Sequence, residues 1–305
     1  NYSVVEFSLR QLFQQQKDGV ADSYDIPIYQ RNYAWGSSEI QQLIDDIADY
    51  AYKNKQDRAG RYYIGTLVVH QRLNHKYEVV DGQQRLTTLF LMLCHYQNMF
   101  GKSQEGKSGL DSLNLQNNAP IFELDPDKLS FDNREKSTET LRTIAKKRGK
   151  LEIEQSSISK EYNENKAIIA GYNEIKSLIT NKKLSQNGRA LTVEEFFDYL
   201  LENVVIYRIQ LPKNTDLNHY FEVMNSRGEQ LEKHEVIKAR LLSALSNQDS
   251  QDGEFDRKLF AQIWDAVSNM NLYVQYGFKR EHRSKIFGEH WGHFIPKDYD
   301  SLKRL

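Results

Sequence analysis

The 305-residue sequence predicts an α+β fold, a small mixed sheet in the N-terminal part followed by a larger, mainly helical region. Three observations predict it. "RYYIGTLVVH" and "YEVV" are β-branched and aromatic runs on either side of the polar "QRLNHK", which is the pattern of a hairpin. "RLTTLFLMLCHYQNMF" is apolar on nearly every face, and such a helix belongs inside a core. The rest of the chain is dominated by helical spacing, with one further strand-like run, "VVIYRIQL".

In chain order, "VVEFSLRQLF" reads as the start of a short helix, and "YDIPIYQRNYAW" as an extended, proline-containing segment. Ser38 with Gln41 forms an S-x-x-Q capping box ahead of Ile40, Leu43, Ile44, Ile47 and Ala51 at helical spacing. After the hairpin, a five-residue loop around "DGQQ" leads into the apolar helix. From Gly101 to about Asn118 the composition turns to Gly, Ser, Gln, Asn and Lys, a mobile excursion by this reading. "IFEL" is expected as a short strand ended by the turn "DPDK". Ile168, Tyr172, Ile175 and Ile179 mark one face of a helix. Thr192 with Glu195 caps another, which runs into "VVIYRIQL" at 204–211, a strand expected to join the same sheet. "DLNHYFEVMN" breaks at "SRG" and restarts as "LEKHEVIKARLLSAL". A final helix carries Phe255, Leu259, Phe260, Ile263, Trp264 and Val267. No internal repeat is visible.

The bulk numbers exclude several classes. Lys and Arg total 41 against 42 for Asp and Glu, so no global charge calls for nucleic acid or an anionic membrane. The single cysteine, Cys94, excludes an internal disulfide framework and suits a reducing cytoplasm. The longest apolar stretch, "LFLMLC", is far shorter than a membrane span. A chain that opens on Asn1 reads as a piece of a longer protein.

Several segments carry chemistry. "GKSQEGKS" (101–108) matches G-x-x-x-x-G-K-S letter for letter, but it lacks the strand before and the helix after that a P-loop requires. A linker explains it better. "YEVVDGQQRLTTL" supplies that context. Gly82 allows close backbone approach, the helix start offers unpaired N–H groups, and Arg85 offers a fork for phosphate. Thr87 and Thr88 are candidate hydroxyl donors, and Asp81 is a candidate metal ligand or orienter of water. An ordinary turn and helix cap is the alternative. In "IPIYQRNYAW", Gln30, Arg31 and Asn32 mix with Tyr29, Tyr33 and Trp35, a composition suited to stacking plus phosphate contact, or to wedging a loop on the core. In "NSRGEQLEKHEVIK", Asn225, Arg227 and Gly228 sit at a helix–helix break, either aimed at a ligand or forming a plain C-cap. His290 and His293 have H-x-x-H spacing without a third ligand, and read as surface histidines. "RTIAKKRGK" (142–150) is a local basic run that DNA binding or a solvated helix end would explain.

Taken in order, "IPIYQRNYAW", "YYIGTLVV" with "YEVVDGQQRLTTL", and "FEVMNSRGEQLEKHEVIKARLL" closely resemble the N-terminal domain of GmrSD-type proteins, over roughly Phe7 to Leu242. The resemblance implies a ParB/sulfiredoxin-like mixed sheet core. It would occupy residues 1–100, completed by the strand 204–211 and the helices of 216–245. An insertion and helical region at 101–200 and a C-terminal helical segment at 246–305 would accompany it. It also implies a module of phage defence that binds and hydrolyses a nucleoside triphosphate (GTP, ATP or CTP) with Mg²⁺, and couples turnover to recognition of modified DNA. The expected partners are DNA, a C-terminal or separate HNH-type nuclease domain and a second copy in a homodimer, with no membrane. Carried over by position, the signature residues are Tyr29, Gln30 and Arg31; Asp81, Gly82, Gln83, Gln84 and Arg85; and Asn225, Arg227, Gly228 and Lys238. Asp81, Gln84 and Arg85 carry the expected catalytic roles, with Asp81 also holding the metal. Glu232 and Glu235 stand where family members often place a Ser or Thr and an Asp, and no nuclease signature is visible.

Overall fold

The computed structural model describes residues 3–14, 22–57, 60–73, 75–101, 122–146, 165–180, 184, 191–217 and 220, and residues 237, 238, 241, 242, 257, 259–261, 263 and 264. The chain divides into two compact units, Asn1–Ala239 and Arg240–Leu305. In the first, the elements run β1 (Ser3–Ser8), α1 (Leu9–Phe13), β2 (Ser23–Ile26), α2 (Ser37–Asp57), β3 (Tyr62–Leu73), β4 (Lys76–Asp81) and α3 (Gln83–Phe100). There follow β5 (Leu129–Phe131), α4 (Glu135–Ala145), α5 (Lys166–Thr180), α6 (Val193–Glu202) and β6 (Val204–Leu211). The fold is α+β.

The six strands form one sheet in the order β1-β6-β3-β4-β2-β5. The β1–β6 and β3–β4 pairs are antiparallel, while β3–β6, β2–β4 and β2–β5 are parallel. β6 therefore enters between the N-terminal strand and the hairpin, far from either in sequence. Parallel neighbours need crossover connections, and the helices between these strands supply them.

One sheet face packs against the helices. Leu67, Val69 and Val79 from the strands join Leu86, Leu89, Phe90 and Leu93 of α3 and the apolar stripes of α2, α5 and α6 in the main core. Every residue of α3 except Arg85 is buried, so the all-round apolar run is the central helix. Ile168, Tyr172, Ile175 and Ile179 are all buried on α5, and Thr192 caps α6 reciprocally with Glu195. The opposite face carries a small second cluster of Val68, Val80 and Leu211, with Tyr29, Ile209, Leu217 and Tyr220 against it.

Several local expectations change. "VVEFS" is the edge strand β1, and the helix begins only after Ser8, which forms a capping box with Gln11. At α2 the predicted Ser38–Gln41 box is absent. The Glu39 carboxylate instead accepts from the Gly36 N–H at 3.0 Å. The hairpin strands extend through "QRL" and "K", leaving only Asn74 and His75 between them. Phe122–Leu124 of "IFEL" is not strand: a 3₁₀ turn over Pro126–Lys128 leads to β5 at Leu129–Phe131. In the basic run, Arg142 is held by Asp127 at 2.6 Å and Glu139 at 2.7 Å. In the second unit Leu259 and Ile263, placed on the expected final helix, are exposed. "GKSQEGKS" beyond Gly101, Asn225, Arg227, Gly228, Glu232, Glu235, His290, His293, Phe255 and Val267 lie outside the described residues.

Candidate anion site at the amino end of α3

β4 reaches α3 through a single residue. The five-residue loop expected around "DGQQ" is replaced by Gly82 alone, at φ +91° and ψ 10°, with Asp81 ending the strand and Gln83 opening the helix. The Leu86 N–H already donates to the Gly82 carbonyl at 2.9 Å. A Cβ on Gly82 would meet the Thr66 carbonyl oxygen at 3.0 Å, so this turn requires glycine for both its left-handed backbone and its contact with β3. No side chain caps the helix and no acidic residue stands in its first turn. A helix start without a cap presents unpaired N–H groups and the positive end of the helix dipole.

Around this start, Gln83 is 6 % exposed, yet its amide makes no hydrogen bond among the described residues. Arg85 is partly buried. Its Nη1 donates to the Ile64 carbonyl at 2.6 Å, and Nε and Nη2 make no hydrogen bond among the described residues. That carbonyl is available because β3 bulges: Tyr63 pairs with Val205 and Thr66 with Tyr207, leaving Ile64 and Gly65 opposite one partner residue. Gly65 has φ +121°, and the Arg85 guanidinium fills the space where its Cβ would stand. Beside Arg85, burial raises the Tyr62 phenol above its ordinary range, with Asp46 and Tyr50 reinforcing the shift.

The segment from Ile28 to Ala34 is pinned along one side of this helix start. The Gln84 amide spans it, donating Nε2 to the Asn32 carbonyl at 2.9 Å and accepting the Ala34 N–H on Oε1 at 2.9 Å. The Gln30 amide donates to the Val80 carbonyl at 2.7 Å. Residues 30 and 32, on either side of Arg31, are thus tied to residues 80 and 84. Arg31 and Asp81 are both exposed and without partners among the described residues.

Other predicted residues take different places. The Thr87 hydroxyl donates to the Gln83 carbonyl at 2.8 Å, and the Thr88 hydroxyl to the Gln84 carbonyl at 2.9 Å, with both residues buried. Thr88 also meets the Tyr33 hydroxyl at 2.8 Å, and burial pushes that phenol up to about 12. These hydroxyls are spent inside the helix packing rather than offered to a ligand. Tyr29 belongs to the opposite sheet face, where its hydroxyl donates to Glu78 Oε1 at 2.5 Å. Burial first, and then Glu78, raise its pKa well above the ordinary phenol value. Glu78 also pairs with Arg72, and both line a cleft of about 800 Å³ with His70, Lys213 and Leu217. Lys238 is buried.

The motifs gave no signal for two residues that shape the site. Gly65 was visible inside "YYIGTLVV", but nothing marked it as the seat of a guanidinium 20 residues away. Arg134, whose Nη2 donates to the Ile28 and Gln30 carbonyls, belongs to no motif at all. Among the described residues no group of three or more His, Cys, Asp or Glu side chains gathers to hold a metal. A single exposed carboxylate such as Asp81 is still a usual share of a Mg²⁺ site, which phosphates and water complete.

The fold and site thus define an α+β domain whose central helix starts at a glycine cap, with Arg85 in its first turn. Residues 9–242 match the family described as GmrSD restriction endonuclease, N-terminal domain, and the chain belongs to that family. A search of curated proteins finds no match to the chain. No helix among the described residues is long and apolar enough to cross a membrane.

Proposed function

We propose that the start of α3 binds the phosphates of a nucleoside triphosphate, and that the domain hydrolyses it to license DNA recognition by a restriction system. One observation carries the reading: the helix start has no side-chain cap and no acidic residue in its first turn, yet has Arg85 there. A cation there opposes the helix dipole, normally by about 0.3–1 kcal/mol. An anion bound between Arg85, the first N–H groups and Arg31 reverses that sign.

In this reading the Gly82–Gln83 backbone and the free edge of Arg85 hold the phosphates, and Arg31 neutralises charge that develops during transfer. Asp81 holds Mg²⁺ or directs water, and the ion, when bound, neutralises charge on the phosphate oxygens. Gln84 acts through the Asn32–Ala34 backbone and so is a positioning residue. The DNA is expected to be modified, the nuclease to be a C-terminal or separate HNH-type domain, and the protein to work as a homodimer in the cytoplasm. A second reading, a nucleotide-gated module without turnover, is favoured by the commitment of Gln84, Thr87 and Thr88 to internal bonds.

The test is phosphate release from GTP, ATP and CTP by wild type, Arg85→Ala and Lys107→Ala, each with and without modified DNA, on proteins checked for folding by circular dichroism. Loss with Arg85→Ala and retention with Lys107→Ala is the expected pattern. Turnover that survives Arg85→Ala sinks the site. Tight binding without turnover selects the gating reading.

A further inference from the structure

We propose that Arg134, outside every recognised motif, is the positioning residue that holds the Tyr29–Asn32 segment so that Arg31 is presented to the anion at α3. The inference rests on the phosphate reading of that helix start.

The segment cannot hold itself. It has no strand or helix, and its Gln30 N–H bonds locally to the Pro27 carbonyl at 3.0 Å. A loop carrying a functional cation loses affinity if that cation must be ordered on binding, since each immobilised long side chain costs roughly 0.5–1.5 kcal/mol. Here the ordering is done in advance from three sides. β4 takes the Gln30 amide through the Val80 carbonyl, and α3 takes the Asn32 and Ala34 backbone through Gln84. Arg134 closes the third side. Its Nη2 bridges the Ile28 carbonyl at 3.0 Å and the Gln30 carbonyl, the latter immediately before Arg31.

Arg134 is itself fixed by the fold. β5 runs parallel to β2, and the Asp132 N–H continues that ladder to the Ile26 carbonyl at 2.8 Å, which brings the turn after β5 alongside residues 27–30. Asn133 takes φ +54° in that turn. The Arg134 carbonyl then accepts the Ser137 and Thr138 N–H groups at 3.0 and 3.1 Å as α4 begins. The guanidinium therefore leaves a backbone anchored on both sides. Both bonds leave one nitrogen, Nη2, which an ammonium could imitate, but a guanidinium is more weakly hydrated than an ammonium and so less costly to bury there.

The experiment is a double-mutant cycle on the full chain, with Arg134→Gln, Arg134→Lys and Arg31→Ala, read by binding of a fluorescent GTP analogue and by tryptic cleavage after Arg31 in ligand-free protein. Arg134→Gln is expected to weaken nucleotide binding about tenfold, equivalent to about 1.4 kcal/mol, with Arg134→Lys recovering only part. In the Arg31→Ala background Arg134→Gln should add little. Cleavage after Arg31 should rise about tenfold in Arg134→Gln, with circular dichroism unchanged. Equal weakening with and without Arg31 would show a general structural or charge effect and overturn the proposal, as would unchanged cleavage. If Arg134→Gln does not fold, Arg134→Lys supplies both readouts. A wild type that binds no nucleotide refutes the phosphate reading, and the cleavage rates then still decide whether Arg134 holds the segment.

Discussion

Gly65→Ala is the substitution that most directly probes how Arg85 is held. The new Cβ would stand 1.9 Å from Arg85 Nη1 and 3.0 Å from its Cζ, so the guanidinium must leave. Its departure breaks the 2.6 Å bond to the Ile64 carbonyl, a charge-assisted bond of about 1.5–3 kcal/mol. Alanine at φ +121° adds backbone strain of roughly 1–3 kcal/mol. The total is about 2.5–6 kcal/mol, or roughly 5–24 °C in Tm for a unit of this size. Urea denaturation of wild type, Gly65→Ala, Arg85→Ala and the double mutant measures it. Because both single substitutions break the same bond, the double mutant should be about as stable as Gly65→Ala alone, and the cycle should return a coupling of about 1.5–3 kcal/mol. Additive losses would refute the reasoning, since they would mean that the two positions do not share the bond. A Gly65→Ala protein within about 1 kcal/mol of wild type would refute it too.

Other outcomes follow from single sites. Gln84→Glu keeps the acceptor for the Ala34 N–H but removes the donor to the Asn32 carbonyl, and it places a carboxylate in the first turn of α3. It should cost about 1–3 kcal/mol in urea and weaken nucleotide binding more than Gln84→Ala does, as measured by titration calorimetry. His95 is fully buried, and burial lowers its pKa from 6.5 to about 3. The folded state therefore keeps it neutral while the unfolded state takes a proton below pH 6.5, so its stabilisation is present above pH 6.5 and lost as pH falls toward 3. Between pH 6.5 and 5 the loss is about 2 kcal/mol, and urea midpoints for His95→Gln should lack that pH dependence. Burial raises the Cys94 thiol well above its ordinary pKa. Thiol labelling should therefore proceed only at the rate of global unfolding, and Cys94→Ala should leave nucleotide binding unchanged.

What the sequence displayed was whatever its neighbours determine. The hairpin, α3 and β6 are long, strongly patterned runs, and each formed where its composition placed it. β1 was hidden because "VVEFS" flows into the apolar start of α1, and only its pairing with β6, two hundred residues later, makes it a strand. β5 has three residues and no pattern to read. At the site, Gly82 and Arg85 were legible because a strand–glycine–helix junction is a local signal. The duties of Gln84 and Gln30 were not, because their amides bind backbone about fifty residues away. Thr87 and Thr88 misled for the opposite reason: a hydroxyl near a helix start looks available until the i−4 carbonyl takes it.

The division of labour between the two glutamines follows from what an amide is. Gln84 must donate to one backbone group and accept from another two residues on, which a carboxylate or an ammonium cannot do. Spending it there fixes the 32–34 backbone without adding charge beside the helix start. Gln83, one residue earlier and equally buried, has no such partner among the described residues. Although the residue as a whole is buried, its amide atoms still reach solvent, so the unbonded group carries no burial penalty and is free to bond a ligand. A bound phosphate would accept from its Nε2 as it accepts from the helix N–H groups. In the phosphate reading proposed above, the first glutamine of "DGQQR" would face the ligand, while the second straps the 32–34 backbone to α3.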